Sequence, residues 1–570
     1  MPKYWFVLGL LVATVGVGVL PMSWGMDSAA DNHQQTARIN NYGDHVHNQC
    51  RFTRYPKLCI ETLLGHGNAH DILYALVEKT RDETTKLSTA AHLPNYQLAE
   101  NLTSQHPHHV AIGYCVEVMN MSLKRLNQSL IALKNSRIKS KLDIQTWLSG
   151  VLTFQQACKD SVEGSTSSSS SWSLLVDQIS KRMDYLSRLA SNSLALVNRI
   201  TRTSPNEKTK LKITKSGGRR LFSYVASETS EFDQAGSPLP FHYPGWLSHK
   251  DRKILLQSST GSGAITANAV VAKDGTGNFR TVSEAIMAAT GGRFVIYVKT
   301  GVYKEKIHTN KDGIILIGDG KYSTIITGGD SVAAGSSLAD TATFAINGNG
   351  FIARDIGFQN TAGPGGRQAV ALYIASDRSV LYRCSIAGYQ DSLYALAFRQ
   401  FYRECDIYGT IDFIFGNAAA VFQSCNLVLR GPRSSGFSVI LANGRTDPGQ
   451  NTGFSVQSSR IVPSADYTAG TKSYLGRPWK QYSRSVVMQS SIDVIIAARG
   501  WVEWSDGFAL KTLYFAEYQN MGPGAGTSQR VTWPGFHLIS MADAQQFTVA
   551  KFIGGNSWLP STGVTFVSGL

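Results

Sequence analysis

Cys384, Cys405 and Cys425 follow one another at intervals of 21 and 20 residues, each inside the same short pattern: VLYRCSI, FYRECDI and VFQSCNL. The pattern returns with serine in the cysteine's place in FSVQSSRI (Ser459) and in VVMQSSI (Ser490). Short alternating apolar and polar segments that recur at one coil length indicate a parallel β-solenoid, in which each turn buries its apolar side against the turns above and below. A large sandwich, the competing architecture, returns its strands at closer spacing, about every 8–12 residues.

Asp391 and Asp412 show what such stacking implies. They lie 21 residues apart, in GYQDSLY and GTIDFIFG, flanked by glycine and aromatic residues rather than by the lysine and glutamate of a solvated surface. On neighbouring parallel strands they stand about 4.7–4.9 Å apart in the pairing direction. Two carboxyls that close cannot share one pKa. Like charge and lost solvation raise one, while a cation or hydrogen bonds keep the other ionised. The spacing therefore predicts an acid beside a nucleophile or base.

The chain's 570 residues exceed what one core normally holds, so a second domain is expected. Residues 1–25 carry Lys3, an apolar run from Tyr4 to Leu20, then small residues and a proline, the pattern of a secretory signal peptide with cleavage near Gly25. An uncleaved anchor is the other reading, because the run is near the shortest that spans a bilayer. Export makes cysteines readable as bridges: Cys50, Cys59, Cys115 and Cys158 form a group that pairs internally, and the three in the solenoid leave one over. Asn101, Asn120 and Asn127 head glycosylation sequons in the same first part.

Residues 40–203 read as an all-α unit, a four-helix bundle, since LIALKNSRIKSKLDIQTWLSGVL and SLLVDQISKRMDYLSRLASNSLALVNRI place apolar residues at three- and four-residue intervals. The serine run 165–171 reads as a flexible connection between helices. Nine of the 13 histidines fall in the first 110 residues without the fixed spacing of metal ligands, so they read as solvated loop residues. Periodicity then fails over 204–256, where Gly217-Gly-Arg-Arg and Asp251-Arg-Lys are exposed dibasic sites for a processing protease.

From 257 to 570 the chain is β-rich, glycine-rich and aromatic. GVYKE (301–305), QAVAL (368–372), GYQDSLY (388–394), GTIDFIFGNAA (409–419) and LGRPW (475–479), in this order, resemble the pectin methylesterases of plants. CRFTRYPKLC (50–59), CKDSV (158–162) and SNSLALVN (191–198) resemble the pectin methylesterase inhibitor domain. The resemblance implies a two-part precursor: an inhibitor-like pro-region with Cys50–Cys59 and Cys115–Cys158 bridges, a cleavable linker, and a catalytic right-handed parallel β-helix. The substrate would be methyl-esterified homogalacturonan, and the products methanol and polygalacturonate. The enzyme would be a monomer of the cell wall or apoplast, open to proteinaceous inhibitors, with the pro-region restraining activity until processing.

The site residues implied are carried over onto matching positions. Asp391 would be the proton donor and Asp412 the nucleophile. Gln368 and Gln390, 22 residues and thus one coil apart, would donate to the oxyanion. Arg477 would keep the nucleophile ionised, a role suited to a bidentate guanidinium. Trp479 would bind substrate, with Tyr394, Phe415 and Trp501 extending the aromatic floor or serving as core. The three solenoid cysteines stack so that either adjacent pair could bridge; the resemblance selects Cys405–Cys425 and leaves Cys384 free. Tyr373 and Leu338 replace an arginine and a threonine usual in the family, and FSVILANGR (437–445) also departs from it, changes that bear on substrate affinity rather than catalysis.

A net charge of +15 suits a polyanionic substrate such as demethylated pectin. Nucleic acid, the rival polyanion, is disfavoured by export and by the lack of any nucleic-acid motif. A glycosidase on polygalacturonate is disfavoured too, because inverting enzymes space their carboxyls about 6.5–9.5 Å apart to admit water. A non-catalytic wall-binding protein, or one whose inhibitor-like half acts on other esterases, does not account for the glutamine, aspartate, arginine and tryptophan set. Nothing in the sequence points to a metal or organic cofactor.

Overall fold

The computed structural model describes residues 42–65, 71–87, 107–164, 170–200, 267–432 and 436–570. The leader, the dibasic linker and Asn101 lie outside the described residues. Asn120 and Asn127 are exposed on one helix. Among the described residues no helix is long and apolar enough to cross a membrane.

The first part holds helices α1 (42–50), α2 (Pro56–Leu64), α3 (Ile72–Thr85), α4 (Pro107–Asn135), α5 (Lys141–Gly164) and α6 (Ser170–Asn198). Local chemistry sets their starts. Pro56 occupies the first turn of α2, where its missing N–H costs nothing, and the Asp71 carboxylate caps α3 by accepting from Tyr74 N–H at 3.1 Å. Helices α3 to α6 close a four-membered ring, with α5 between α4 and α6 and α3 touching both α4 and α6. Ser170 and Ser171 belong to α6, so the serine run expected to be a connection is in part helical. Disulfides join Cys50 to Cys59, tying α1 to α2, and Cys115 to Cys158, tying α4 to α5.

The second part is a parallel β-helix. Three sheets of eleven, eight and seven strands run its length, every pairing parallel, and successive strands of one chain turn belong to different sheets. In the seven-stranded sheet Leu372, Leu393 and Ile414 stand in register on three consecutive coils. Aromatic side chains stack along the interior in the same way: Tyr402 over Phe422 at 4.5 Å and Trp501 over Phe515 at 4.4 Å. Each such side chain, fully removed from water, contributes about 1.5–3 kcal/mol. Trp501 is wholly buried and its indole N–H donates to Glu517 at 3.1 Å. It is a core residue and not part of an aromatic floor.

The cysteine repeat marks one corner of every coil. The residue before it lies in the left-handed region each time: Arg383, Glu404, Ser424, Ser458 and Gln489, with φ of 50, 56, 55, 50 and 51°. The side chain that follows turns inward and donates to the carbonyl two residues back: Cys384 to Tyr382, Cys405 to Arg403, Cys425 to Gln423, Ser459 to Gln457 and Ser490 to Met488. It also accepts from the coil before, as in Cys384 N–H to Cys405 Sγ and Cys425 N–H to Ser459 Oγ. This use of the thiols corrects the expected Cys405–Cys425 bridge, since all three cysteines are free. Each sulfur is held by backbone groups as the serine oxygens are. Serine at the next two corners was the sequence signal that the position needs a small polar group, not a partner.

Two features had no counterpart in the sequence reading. The C-terminal segment, with Phe547, Phe552, Trp558 and Leu559, covers the outer face of the eleven-stranded sheet over Val380, Phe401, Val421 and Val486. The helical ring, moreover, does not stand apart: α4 and α5 lie on the seven-stranded sheet and share one hydrophobic cluster with it, Phe154 and Ala157 packing with Tyr394, Phe398 and Phe415.

Candidate active site

The turns that carry Asp391 and Asp412 leave the eight-stranded sheet and enter the seven-stranded one. Both aspartates adopt left-handed φ, 63 and 51°, a conformation costing about 1–3 kcal/mol for a residue with a Cβ and commonest at functional positions. Asp391 N–H donates to Ile411 C=O at 3.0 Å and Leu393 N–H to Phe413 C=O at 2.9 Å, so the two turns stack one coil apart. One coil earlier Gln368 pairs with Gln390 in a parallel bridge. The four residues thus occupy three successive coils in one column.

Charge differentiates the carboxyls. Asp391 and Asp412 are 7 and 5% exposed. Arg477 Nε donates to Asp412 Oδ1 at 2.8 Å and Nη2 to Oδ2 at 2.6 Å, a fork that favours the carboxylate. Burial pushes both pKa values up, but at Asp412 the hydrogen bonds from Arg477 oppose it. Asp391 is pushed well above the usual carboxylate range by burial and by the neighbouring Asp412 charge, with Arg477 opposing only through space. Both carboxyls are thus held above the usual carboxylate range, Asp391 further than Asp412. Arg477 is fixed in turn by Trp504, whose ring lies 4.1 Å from the guanidinium carbon.

Aromatic rings line the cleft beside the pair. Tyr394 and Phe415, in register on adjacent strands, stack at 4.2 Å, and Trp479 meets them edge-on at 6.4 and 5.8 Å. Gly444 makes room for that indole, since a Cβ there would come within 2.7 Å of it. Gln368 shares the cavity wall with Tyr394 and Trp479, and its amide oxygen is buried without a partner. Leu338 lines the same cavity, and Tyr373 faces the bundle with its hydroxyl 3.3 Å from that of Tyr114. Among the described residues no group of three or more histidine, cysteine, aspartate or glutamate side chains is arranged to hold a metal ion.

Residues 268–556 match the family model described as Pectinesterase, and residues 44–196 match that described as Plant invertase/pectin methylesterase inhibitor. The chain is 45% identical over 526 residues to the "Probable pectinesterase/pectinesterase inhibitor 54" of Arabidopsis thaliana, covering 90% of each. The chain belongs to the pectinesterase family. It is 44% identical over 469 residues to "Pectinesterase 2.2" of Solanum lycopersicum, covering 81% of this chain and 78% of that one. Among solved structures it resembles the pectin methylesterase from carrot at 51% identity and a TM-score of 0.53, over 54% of this chain and all of that one. As a pectinesterase it is a carboxylic ester hydrolase of pectin methyl esters.

Sequence reasoning did not find the residues that fasten the inhibitor-like helices over the cleft of this pectinesterase. Asp160 of α5 bridges Lys480 at 2.6 Å, and Thr153 Oγ1 accepts from Asn417 at 2.9 Å. Asp143 takes Arg399 at 2.7 Å beside the buried Arg399–Asp377 pair, while Glu117 of α4 meets His308 at 2.9 Å. Gly150 admits the ring of Phe398, which would stand 2.2 Å from a Cβ at that position. Lys480 directly follows LGRPW, Asp160 lies within CKDSV and Asn417 within GTIDFIFGNAA, so these three could have been noticed there; the others lie in no motif.

Proposed function

We propose that Asp412 is the nucleophile and Asp391 the acid and base of a double-displacement hydrolysis of galacturonate methyl esters in homogalacturonan. Asp412 Oδ attacks the C6 carbonyl, and Asp391 gives its proton to the departing methoxide, which leaves as methanol. Asp391, now a carboxylate, takes a proton from water, whose oxygen attacks C6 of the mixed anhydride formed with Asp412; Asp412 leaves as carboxylate and the galacturonate is free. The Gln368 and Gln390 amides stabilise the oxyanion formed in both halves. Trp479, Tyr394 and Phe415 bind the sugar rings. The observation that carries this reading is the unequal pair: one carboxyl gripped by Arg477, the other buried beside its charge.

The pro-region restrains the activity, because α4 and α5 lie over the aromatic cleft that a pectin chain must enter. Release by a processing protease in the linker would uncover a monomeric enzyme in the cell wall. Methanol release from methyl-esterified pectin, before and after cleavage within 204–256, tests both halves. A rise on cleavage is expected, together with loss by orders of magnitude in Asp412→Asn at unchanged fold. Wild-type turnover in a folded Asp412→Asn would overturn the assignment.

A further inference from the structure

Lys480 stands at the edge of the aromatic floor, its ammonium 5.3 Å from the Trp479 ring centroid. Its partner is not a neighbour on the β-helix but Asp160 of α5, whose Oδ1 accepts from Lys480 Nζ at 2.6 Å and from Gln156 Nε2 at 2.8 Å. Asp160 lines the same cavity as Gln368, Tyr394 and Trp479, so a carboxylate of the covering helix reaches into the cleft where substrate rings would lie. The other cation here, Arg477, already gives its Nε and Nη2 to Asp412. Lys480 is thus the cation left to meet an incoming anion when α5 withdraws.

We infer that Lys480 forms a binding subsite for a free, unesterified galacturonate carboxylate next to the reacting sugar, and that Asp160 occupies this subsite as a carboxylate mimic while the bundle is docked. The inference rests on the pectinesterase reading of the cleft and extends it to the charge state of the substrate. A methyl-esterified uronate is neutral and gains little from an ammonium. A carboxylate gains a charge-assisted hydrogen bond. The enzyme would then favour chains in which the sugar beside the target ester has already lost its methyl group, and its own product would compete with the bundle for the same lysine.

Two single variants of the full chain separate this from a merely structural bridge. Asp160→Asn and Lys480→Gln both break the same ion pair and loosen α5 alike, but only the first leaves the ammonium free. Affinities for unesterified trigalacturonate and for the uncharged α-1,4-linked galactose trimer are measured by titration calorimetry. Trigalacturonate is expected to bind Asp160→Asn about tenfold more tightly than Lys480→Gln, the worth of one partly screened charged hydrogen bond. The difference should shrink with added salt, and the uncharged trimer should not distinguish the variants. Equal affinity of trigalacturonate for the two, including no binding to either, overturns the proposal, as does a difference that the galactose trimer shows as well. Methanol release by wild type is scored separately. Its absence would strike the esterase reading and leave the comparison of the two affinities intact.

Discussion

Arg477 grips Asp412 through Nε at 2.8 Å and Nη2 at 2.6 Å, whereas Asp391, one coil away, feels the same guanidinium only as a nearby charge. The asymmetry gives two chemically identical side chains different electrostatic surroundings. It comes from the fold, because stacked coils bring both carboxyls to one place and a residue 65 positions downstream supplies the cation to only one of them.

Removing that cation should be visible in the pH profile. The hydrogen bonds from Arg477 lower the Asp412 pKa against the upward push of burial. In Arg477→Ala the push is unopposed, so Asp412 becomes ionised only at higher pH. The acid limb of methanol release is expected to move upward, with kcat reduced about 100-fold or more and KM changed less. An unmoved acid limb would mean that Arg477 does not set the ionisation of Asp412.

The thiol ladder gives a count. Denatured, unreduced protein treated with an alkylating agent should take up label at Cys384, Cys405 and Cys425 alike, because the structure holds all three as free thiols. Cys50, Cys59, Cys115 and Cys158 should stay unlabelled. Label on only one solenoid cysteine in the mass spectrum would restore the bridge that the backbone contacts of these sulfurs argue against.

Much of the site was legible because a solenoid converts sequence period into spatial adjacency. The 21-residue step from Asp391 to Asp412 and the 22-residue step from Gln368 to Gln390 could be read as neighbours, and the register bears them out. Contacts without a period were not legible. For Trp501 the sequence left floor and core equally open, and only its indole, which donates to Glu517 inside the core, decides between them. Phe398 sits in ALAFRQ with nothing to mark it as the knob that fills Gly150. Amphipathic helices disclosed a bundle, but the face turned to the β-helix depends on complementary shape, which no single-chain pattern encodes.

His308 lends pH dependence to the seam. Its ring lies 2.9 Å from the Glu117 carboxylate of α4, and that hydrogen bond raises its pKa above the ordinary histidine value, with Asp340 adding to the rise and Lys306 and burial opposing it. A histidine whose pKa is raised on docking stabilises the docked state fully below its free value, near 6.5, and loses that contribution as pH climbs through the raised one. After cleavage in the linker, the bundle should leave the β-helix more readily at about pH 9 than at about pH 6. His308→Gln should flatten the dependence, as seen by size-exclusion chromatography at each pH. An unchanged slope in that variant would assign the pH response to other groups.

Gly150 tests whether docking and restraint are the same event. It lies within α5, where alanine is the better helix former by about 1 kcal/mol, so Gly150→Ala should not harm the bundle itself. A Cβ there would stand 2.2 Å from the Phe398 ring, a contact that neither side relieves easily: Phe398 holds a left-handed φ of 70° and its ring is packed against Phe154 and under the Arg125 guanidinium. The substitution should therefore lift α5 from the sheet and open the cleft while the disulfide-tied helices stay folded. Methanol release by the uncleaved full chain is expected to rise severalfold over wild type, approaching that of the cleaved protein. Adding Phe398→Ala removes the obstructing ring and should return the uncleaved double variant toward the restrained rate. A Gly150→Ala chain that is folded, undocked by small-angle scattering, and no more active than wild type would separate the two events and remove the basis for restraint by coverage.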